Sequence, residues 1–159
     1  MNTKLLKAII VDDELPSREG LSKYVQDFCA DVDVVEACDS VKTAYHSILN
    51  HRPDLVFLDI EMPNGSGFDL LKLFKTPPFK VIFVTAYSEY AIRAFRFSAA
   101  DYLLKPVKVD ELVEAVDKVR EALNGKVDNF DIQTLKENLT SKTAPENLVI
   151  SDIKGFTVI

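Results

Sequence analysis

The sequence predicts an α/β fold, a doubly wound parallel sheet of five strands interleaved with five helices. Two observations carry it. Five short apolar runs lie between residues 8 and 104, and each is followed by a segment whose apolar residues recur at helical spacing. Four of the runs stop abruptly on a polar residue: Asp12, Asp59, Thr85 and Lys105. Strand–helix alternation requires crossover connections, and these lay helices on both faces of a parallel sheet.

Ala8-Ile9-Ile10-Val11 is the first run. Pro16 then suits a first helical position, and Leu21, Val25 and Phe28 recur at i, i+4, i+7 with Tyr24 alongside. Val32 to Cys38 alternates in part and reads as an edge strand. Val41, Ala44, Tyr45 and Ile48 form an amphipathic stripe that Asn50-His51-Arg52-Pro53 ends. Leu55-Val56-Phe57-Leu58 is apolar on both faces, hence central, and Asp59 closes it. Met62 to Gly67 is a loop by composition, and a short helix with Phe68, Leu71 and Phe74 runs on to Pro77-Pro78. Val81-Ile82-Phe83-Val84 is a fourth buried strand. Glu89 to Phe97 is a helix with a thin stripe of Ile92 and Phe95. Tyr102-Leu103-Leu104 is a brief fifth strand. Asp110 caps the last helix, whose Leu112, Val116, Val119 and Leu123 keep period until Gly125 stops it. The natural order for such a sheet is 2-1-3-4-5, which is flavodoxin-like.

Hydrophobic residues make up 47% of the 159 and charged residues 28%, the balance of a folded rather than a disordered chain. No apolar run approaches the roughly 18 residues a membrane span needs, and the run after Met1 is too short for a signal peptide. Nineteen Lys and Arg against 25 Asp and Glu give a net charge of −6, so this stretch carries no electrostatic footprint for nucleic acid. Two cysteines, Cys29 and Cys38, cannot build a disulfide framework, and a reduced, cytoplasmic protein is expected. Residues 1–125 form the expected domain and 126–147 a polar linker. Residues 148–159 look like a hairpin around Asp152-Ile153-Lys154-Gly155. Because a lone hairpin is marginal in water, they are expected to open a second domain that the chain cuts short. A tail packed back on the first domain is the plainer alternative.

Ligands of an open parallel sheet bind beyond the carboxyl ends of its strands. In the expected order, Asp12 and Asp13, Asp59, Thr85 and Lys105 share one crevice there. Three carboxylates so placed repel one another. A hard divalent cation relieves that repulsion, and an all-oxygen set with vacant positions suits Mg²⁺. Lys105 adds a point positive charge and Thr85 a hydroxyl. A carboxylate, a cation, a lysine and a hydroxyl are the parts that stabilise phosphoryl transfer to a carboxylate. Each residue alone has a plainer role as helix cap, turn or surface lysine; together, at four strand ends in the right order, they do not.

These residues sit in longer motifs: Val11-Asp12-Asp13-Glu14, Leu58-Asp59-Ile60-Glu61-Met62-Pro63 with Gly65 and Gly67, Val84-Thr85-Ala86, and Asp101-Tyr102-Leu103-Leu104-Lys105-Pro106. Through them, residues 5–124 resemble the receiver domain of two-component response regulators. Phe83 to Ile92, with Ala94 and Phe95, resembles the subgroup joined to a LytTR-type (LytR/AlgR-like) DNA-binding domain, which residues 148–159 would begin. The resemblance implies that Asp59 is the phosphoacceptor, attacking a phosphoryl group carried on a histidine of a sensor histidine kinase. It implies Mg²⁺ held by the side chains of Asp13 and Asp59, by Asp12 through water and by the backbone carbonyl of Glu61. Lys105 would pair with the phosphoryl oxygens, the Thr85 hydroxyl would move toward them, and the Tyr102 ring would then turn inward. Ala86 leaves room beside the acyl phosphate, and the Lys105–Pro106 peptide is expected to be cis. The implied role is a phosphoacceptor switch rather than a turnover enzyme, with Mg²⁺-dependent self-phosphorylation from a phosphodonor and slow self-dephosphorylation only. The implied partners are the kinase, DNA through the second domain, and a second copy of the chain on phosphorylation.

Glu61 and Tyr87, each two residues beyond a site position, are candidates for tuning the lifetime of the acyl phosphate. Ile92, Phe95 and Phe97 either form a partner face or cover the sheet. Asn64-Gly65-Ser66-Gly67 lacks the Lys-Ser/Thr of a nucleotide loop. His46 and His51 lack metal spacing, and Cys29 and Cys38 read as buried thiols. Two other functions compete. One is a receiver that works by protein–protein interaction without DNA binding. The other is an Mg²⁺-dependent aspartyl phosphatase, which would place its nucleophile after strand 1 with a second Asp two residues on; Glu14 and Leu15 stand there instead.

Overall fold

Aliphatic and aromatic residues fill the central strands, and the polar residues that follow them stand at the strand ends. The chain runs β1 (Leu6–Val11), α1 (Leu15–Phe28), β2 (Val32–Cys38), α2 (Val41–His51), β3 (Leu55–Leu58), α3 (Gly67–Lys72), β4 (Lys80–Thr85), α4 (Ala91–Arg96), β5 (Asp101–Leu104) and α5 (Val109–Leu123). The computed structural model describes residues 5–125. The expected linker and second-domain start, 126–147 and 148–159, lie outside the described residues. All neighbouring strands pair in parallel, and the order is β2-β1-β3-β4-β5, as the alternation predicts. Among the described residues, no helix is long and apolar enough to cross a membrane.

Strand periodicity divides the core between the two faces of the sheet. Ile9, Val11, Val56, Leu58 and Phe83 face one way, against Ala44 and Ile48 of α2, Phe68 of α3 and Ala91 of α4. Ala8, Ile10, Leu55, Phe57, Ile82 and Val84 face the other, against Leu21 and Val25 of α1 and Leu112, Val116 and Val119 of α5. Each of these side chains larger than alanine, fully removed from water, contributes about 1.5–3 kcal/mol before the entropy of ordering it. β3 is buried at all four positions, as its apolar run requires, whereas β2 keeps exposed residues and lies at the sheet edge.

Several local expectations are corrected. Phe28 is 52% exposed and lies edge-on to Tyr24 at 6.2 Å. Cys29, just past the helix end, takes the buried position instead, so the α1 stripe runs Leu21, Val25, Cys29 at a spacing of four. Glu89 and Tyr90 precede α4, which spans only Ala91 to Arg96. Asp110 does not cap α5. The cap position is Lys108, with no side-chain hydrogen bond, and Asp110 lies in the first turn, where a carboxylate favours the positive end of the helix. Phe74 falls beyond α3 and packs on Tyr45 and Phe79. Ile92 is buried, and Phe95 and Phe97 are half-buried and pack against the core.

The core and the corrected α1 register make a paired prediction for urea denaturation. Phe57→Ala should destabilise by about 3–5 kcal/mol. Phe28→Ser should stay within about 0.5 kcal/mol of the parent; a comparable loss in both would contradict the placement of Phe28.

Candidate functional site

The sheet's hydrogen-bond ladder continues one residue past the strands and so fixes the site. The Asp12 amide donates to the Cys38 carbonyl (3.0 Å), that of Asp59 to Val11 (2.9 Å) and that of Lys105 to Thr85 (2.8 Å). Asp12, Asp59 and Lys105 therefore start from backbone as rigid as the strands themselves. Behind Asp59 the loop folds back tightly: the Gly67 amide donates to the Ile60 carbonyl at 2.8 Å, and a Cβ on Gly67 would overlap the Asp59 carbonyl oxygen. Glycine is required there by close approach.

Asp12 and Asp59 are 4% and 6% exposed, and one carboxylate oxygen from each of Asp12, Asp13 and Asp59 lies within 4.8 Å of the others. Lys105 Nζ sits between two of them, 2.8 Å from Asp12 Oδ2 and 3.1 Å from Asp59 Oδ2, with Glu14 Oε1 at 3.7 Å. The remaining oxygens are held by backbone. Asp12 Oδ1 accepts from the Glu14 amide (2.9 Å), and Asp59 Oδ1 accepts from the Ile60 amide (2.7 Å). Arg18 Nη1 also donates to the Asp12 carbonyl at 2.7 Å. Burial pushes the Asp59 carboxyl above its ordinary pKa, opposed by Lys105 and reinforced by the charge of Asp12. For Lys105, burial alone would depress the ammonium. Its hydrogen bond to Asp12 and the charges of Asp59 and Asp12 outweigh that and raise it.

The cluster opens into a depression of about 370 Å³ whose walls include Asp13, Glu14, Glu61, Met62, Ala86 and Tyr87. An adjoining groove of about 480 Å³, lined by Asp12 and by residues of α1 and Pro106, shares Lys105 with it. The donor set fits a hard divalent cation: three carboxylates in close approach, oxygen ligands only, and an open side for water or a phosphoryl oxygen.

Thr85 is buried behind this depression, and its Oγ1 accepts from the Tyr87 amide at 3.4 Å. The Tyr102 ring is already turned inward. It is fully buried beside Phe83, and its hydroxyl donates to the Tyr87 carbonyl, which satisfies a phenol that burial would otherwise strand. Burial also raises the Tyr102 pKa, with the charge of Glu89 adding to it. The Lys105–Pro106 peptide is cis.

Three interactions have no counterpart in the sequence reading. The Tyr90 hydroxyl donates to Glu61 Oε2 across the mouth of the depression. Buried Asp101 is paired with Lys118 Nζ at 3.1 Å. His51 Nε2 lies 3.0 Å from Glu36 Oε1. All three join residues distant in sequence, and no motif links them. Cys29 and Cys38 are buried free thiols, raised in pKa chiefly by that burial.

Comparison with known proteins agrees with this geometry. The response regulator receiver domain model matches residues 8–117. The sensory transduction protein LytT of Bacillus cereus is 35% identical over 127 residues, which cover 78% of this chain and 51% of that protein. The transcriptional regulatory protein BtsR of Escherichia coli is 35% identical over 136 residues, 84% of this chain and 54% of BtsR. The chain thus spans about half the length of these curated relatives. Among solved structures, the REC domain of AraT, a response regulator from Geobacillus stearothermophilus, superposes with a TM-score of 0.68 at 35% identity, over 76% of this chain and 97% of that one. With the sheet order, the strand-end acids and a family match over most of its length, the chain belongs to the response regulator receiver domain family, the phosphorylation-controlled domain of two-component signalling.

Proposed function

We propose that Asp59 is the phosphoacceptor and that a sensor histidine kinase is the donor. The observation that carries this reading is the placement of Lys105 Nζ between Asp12 Oδ2 and Asp59 Oδ2, beside a third carboxylate and at the wall of the depression. An Asp59 oxygen attacks the phosphorus of a phosphohistidine. The P–N bond breaks, the imidazole leaves with the bonding pair, and an aspartyl phosphate remains. Asp12, Asp13, Asp59 and the Glu61 carbonyl are the residues that would hold Mg²⁺, whose charge would offset that of the transferring phosphoryl group. Lys105 exchanges the Asp59 carboxylate for a phosphoryl oxygen, an acceptor of greater charge. Thr85 supplies a hydroxyl donor to the same group. Asp59 is consumed and regenerated by self-dephosphorylation, so the reading is of a switch rather than a turnover enzyme.

The same reading assigns 1–125 to the receiver, 126–147 to a linker and 148–159 to the start of a DNA-binding output domain. It is supported by the greater length of LytT and BtsR and by the transcriptional role that BtsR's name states. Phosphorylation would act on that domain, or on pairing with a second copy of the chain. A cytoplasmic location is supported by the free thiols of Cys29 and Cys38.

Incubation with acetyl phosphate and Mg²⁺, followed by mass mapping, should place one phosphoryl group on Asp59, and Asp59→Asn should take none. Labelling of that variant would refute the assignment. Magnesium at about ten times its dissociation constant should stabilise the fold by about 1.4 kcal/mol, read as a rise in Tm. Asp13→Ala should lose that rise, and chelation should abolish labelling of the parent.

A further inference from the structure

Across the mouth of the acid cluster, one hydrogen bond ties two separate loops together. Glu61, two residues beyond Asp59, lines the depression, and its Oε2 accepts from the Tyr90 hydroxyl. Tyr90 comes from the opposite rim, at the N-cap of α4. Its ring is fixed from two sides, edge-on to Tyr87 at 6.1 Å and to buried Phe68 at 6.2 Å. Phe68 is itself held, stacked on Phe97 at 5.2 Å with the Arg93 guanidinium over its face at 4.4 Å. The phenol is therefore presented by a ring packed on two sides, whereas the Glu61 side chain is exposed and accepts its hydrogen bond.

We propose that Tyr90 is a positioning residue that prolongs the life of the phosphoryl group on Asp59 by tying the Glu61 carboxylate to the α4 rim. The proposal rests on Asp59 being the phosphoacceptor. Hydrolysis of the aspartyl phosphate requires a water oxygen to bond to phosphorus. The P–O bond to Asp59 breaks, the Asp59 carboxylate leaves with the electron pair, inorganic phosphate departs, and a water proton passes to a base. A free carboxylate in the depression is such a base. Bound to the phenol, Glu61 offers its lone pairs to Tyr90 and is drawn toward the rim; released, it reaches the attacking water. Tyr90 contacts none of the reacting atoms and acts through Glu61.

A double-mutant cycle tests this. The 159-residue chain is labelled with acetyl phosphate and Mg²⁺, the donor is removed, and decay of the label is followed. Tyr90→Phe should speed decay roughly threefold to tenfold, a fraction of what a fully positioned base supplies. In a Glu61→Ala background the same substitution should change nothing. Equal acceleration in both backgrounds, or unchanged or slower decay in Tyr90→Phe alone, overturns the proposal. A metal-free measurement stands beside it: hydrogen–deuterium exchange of residues 60–64 and 86–90 should rise in Tyr90→Phe and rise no further when Glu61→Ala is added. Unchanged exchange removes the tether. Absence of label on parental Asp59 overturns the underlying assignment and the lifetime claim with it, whereas labelled protein without coupling between positions 61 and 90 overturns this proposal alone.

Discussion

The ammonium of Lys105 holds two buried carboxylates side by side at the end of the sheet, and the rest of the site follows from that contact. Asp12 and Asp59 carry like charge into a region mostly closed to water, where an effective dielectric near 20 makes charges about 4 Å apart repel by about 4 kcal/mol. The lysine supplies attraction of the same order to each. Burial works against all three charges, and buried pairs hold only where geometry is good and the remaining lone pairs are satisfied. Here the backbone amides of Glu14 and Ile60 satisfy them. One cation between two carboxylates, with Asp13 close by, still leaves negative charge in excess. That excess gives the cluster its appetite for further positive charge, while the lysine remains available to a stronger anion.

Such a balance needs fixed positions, and these come from the core. Asp12, Asp59 and Lys105 each extend a strand ladder by one amide, beneath which lie the fully buried side chains of Val11, Leu58 and Leu103. A displacement of β3 relative to β1 would alter both lysine contacts together. Gly67 supports the same placement from the loop side, since only a residue without Cβ lets the chain lie against the Asp59 carbonyl. Packing, ladder and glycine all act on the position of a single carboxylate.

Sequence reasoning reached this architecture because the signals involved are local. The continuous apolar run of β3 announced burial on both faces, and the abrupt change at Asp59 announced its end. Asp12, Asp13, Asp59 and Lys105 were legible as a group because topology alone brings adjacent strand ends together. The failures were equally physical. Phe28 and Cys29 are both apolar at the end of a helix, and spacings of three and four serve a stripe equally well; only packing decides which faces the sheet. Asp101 gave no sign that Lys118, 17 positions on, would neutralise it. The Tyr90–Glu61 contact spans two loops whose meeting depends on the whole β3–β4 half of the domain. The resemblance implies a Tyr102 ring that turns inward in response, yet its inward position is satisfied by a carbonyl that no sequence pattern marks.

That carbonyl belongs to Tyr87, and on the proposed phosphorylation of Asp59 it would give the domain a way to carry a signal outward. The Tyr87 amide donates to Thr85 Oγ1 over a long 3.4 Å, while its carbonyl accepts from the buried Tyr102 phenol. The first bond is weak by its length, worth at most the neutral-pair value of about 1 kcal/mol. A phosphoryl oxygen on Asp59 would offer the Thr85 hydroxyl a charge-assisted bond roughly twice as strong. Were the Thr85 side chain to turn toward that oxygen, it would give up the weaker bond for the stronger one and loosen the Tyr87 backbone, whose carbonyl anchors Tyr102. The ring of Tyr87 is in edge contact with Tyr90, which precedes α4, so movement of that peptide is felt at the start of the helix as well as beneath it. A few kcal/mol of coupling suffices to shift a two-state equilibrium decisively. This segment, held by one weak bond and one buried phenol, is where such energy has the least structure to overcome.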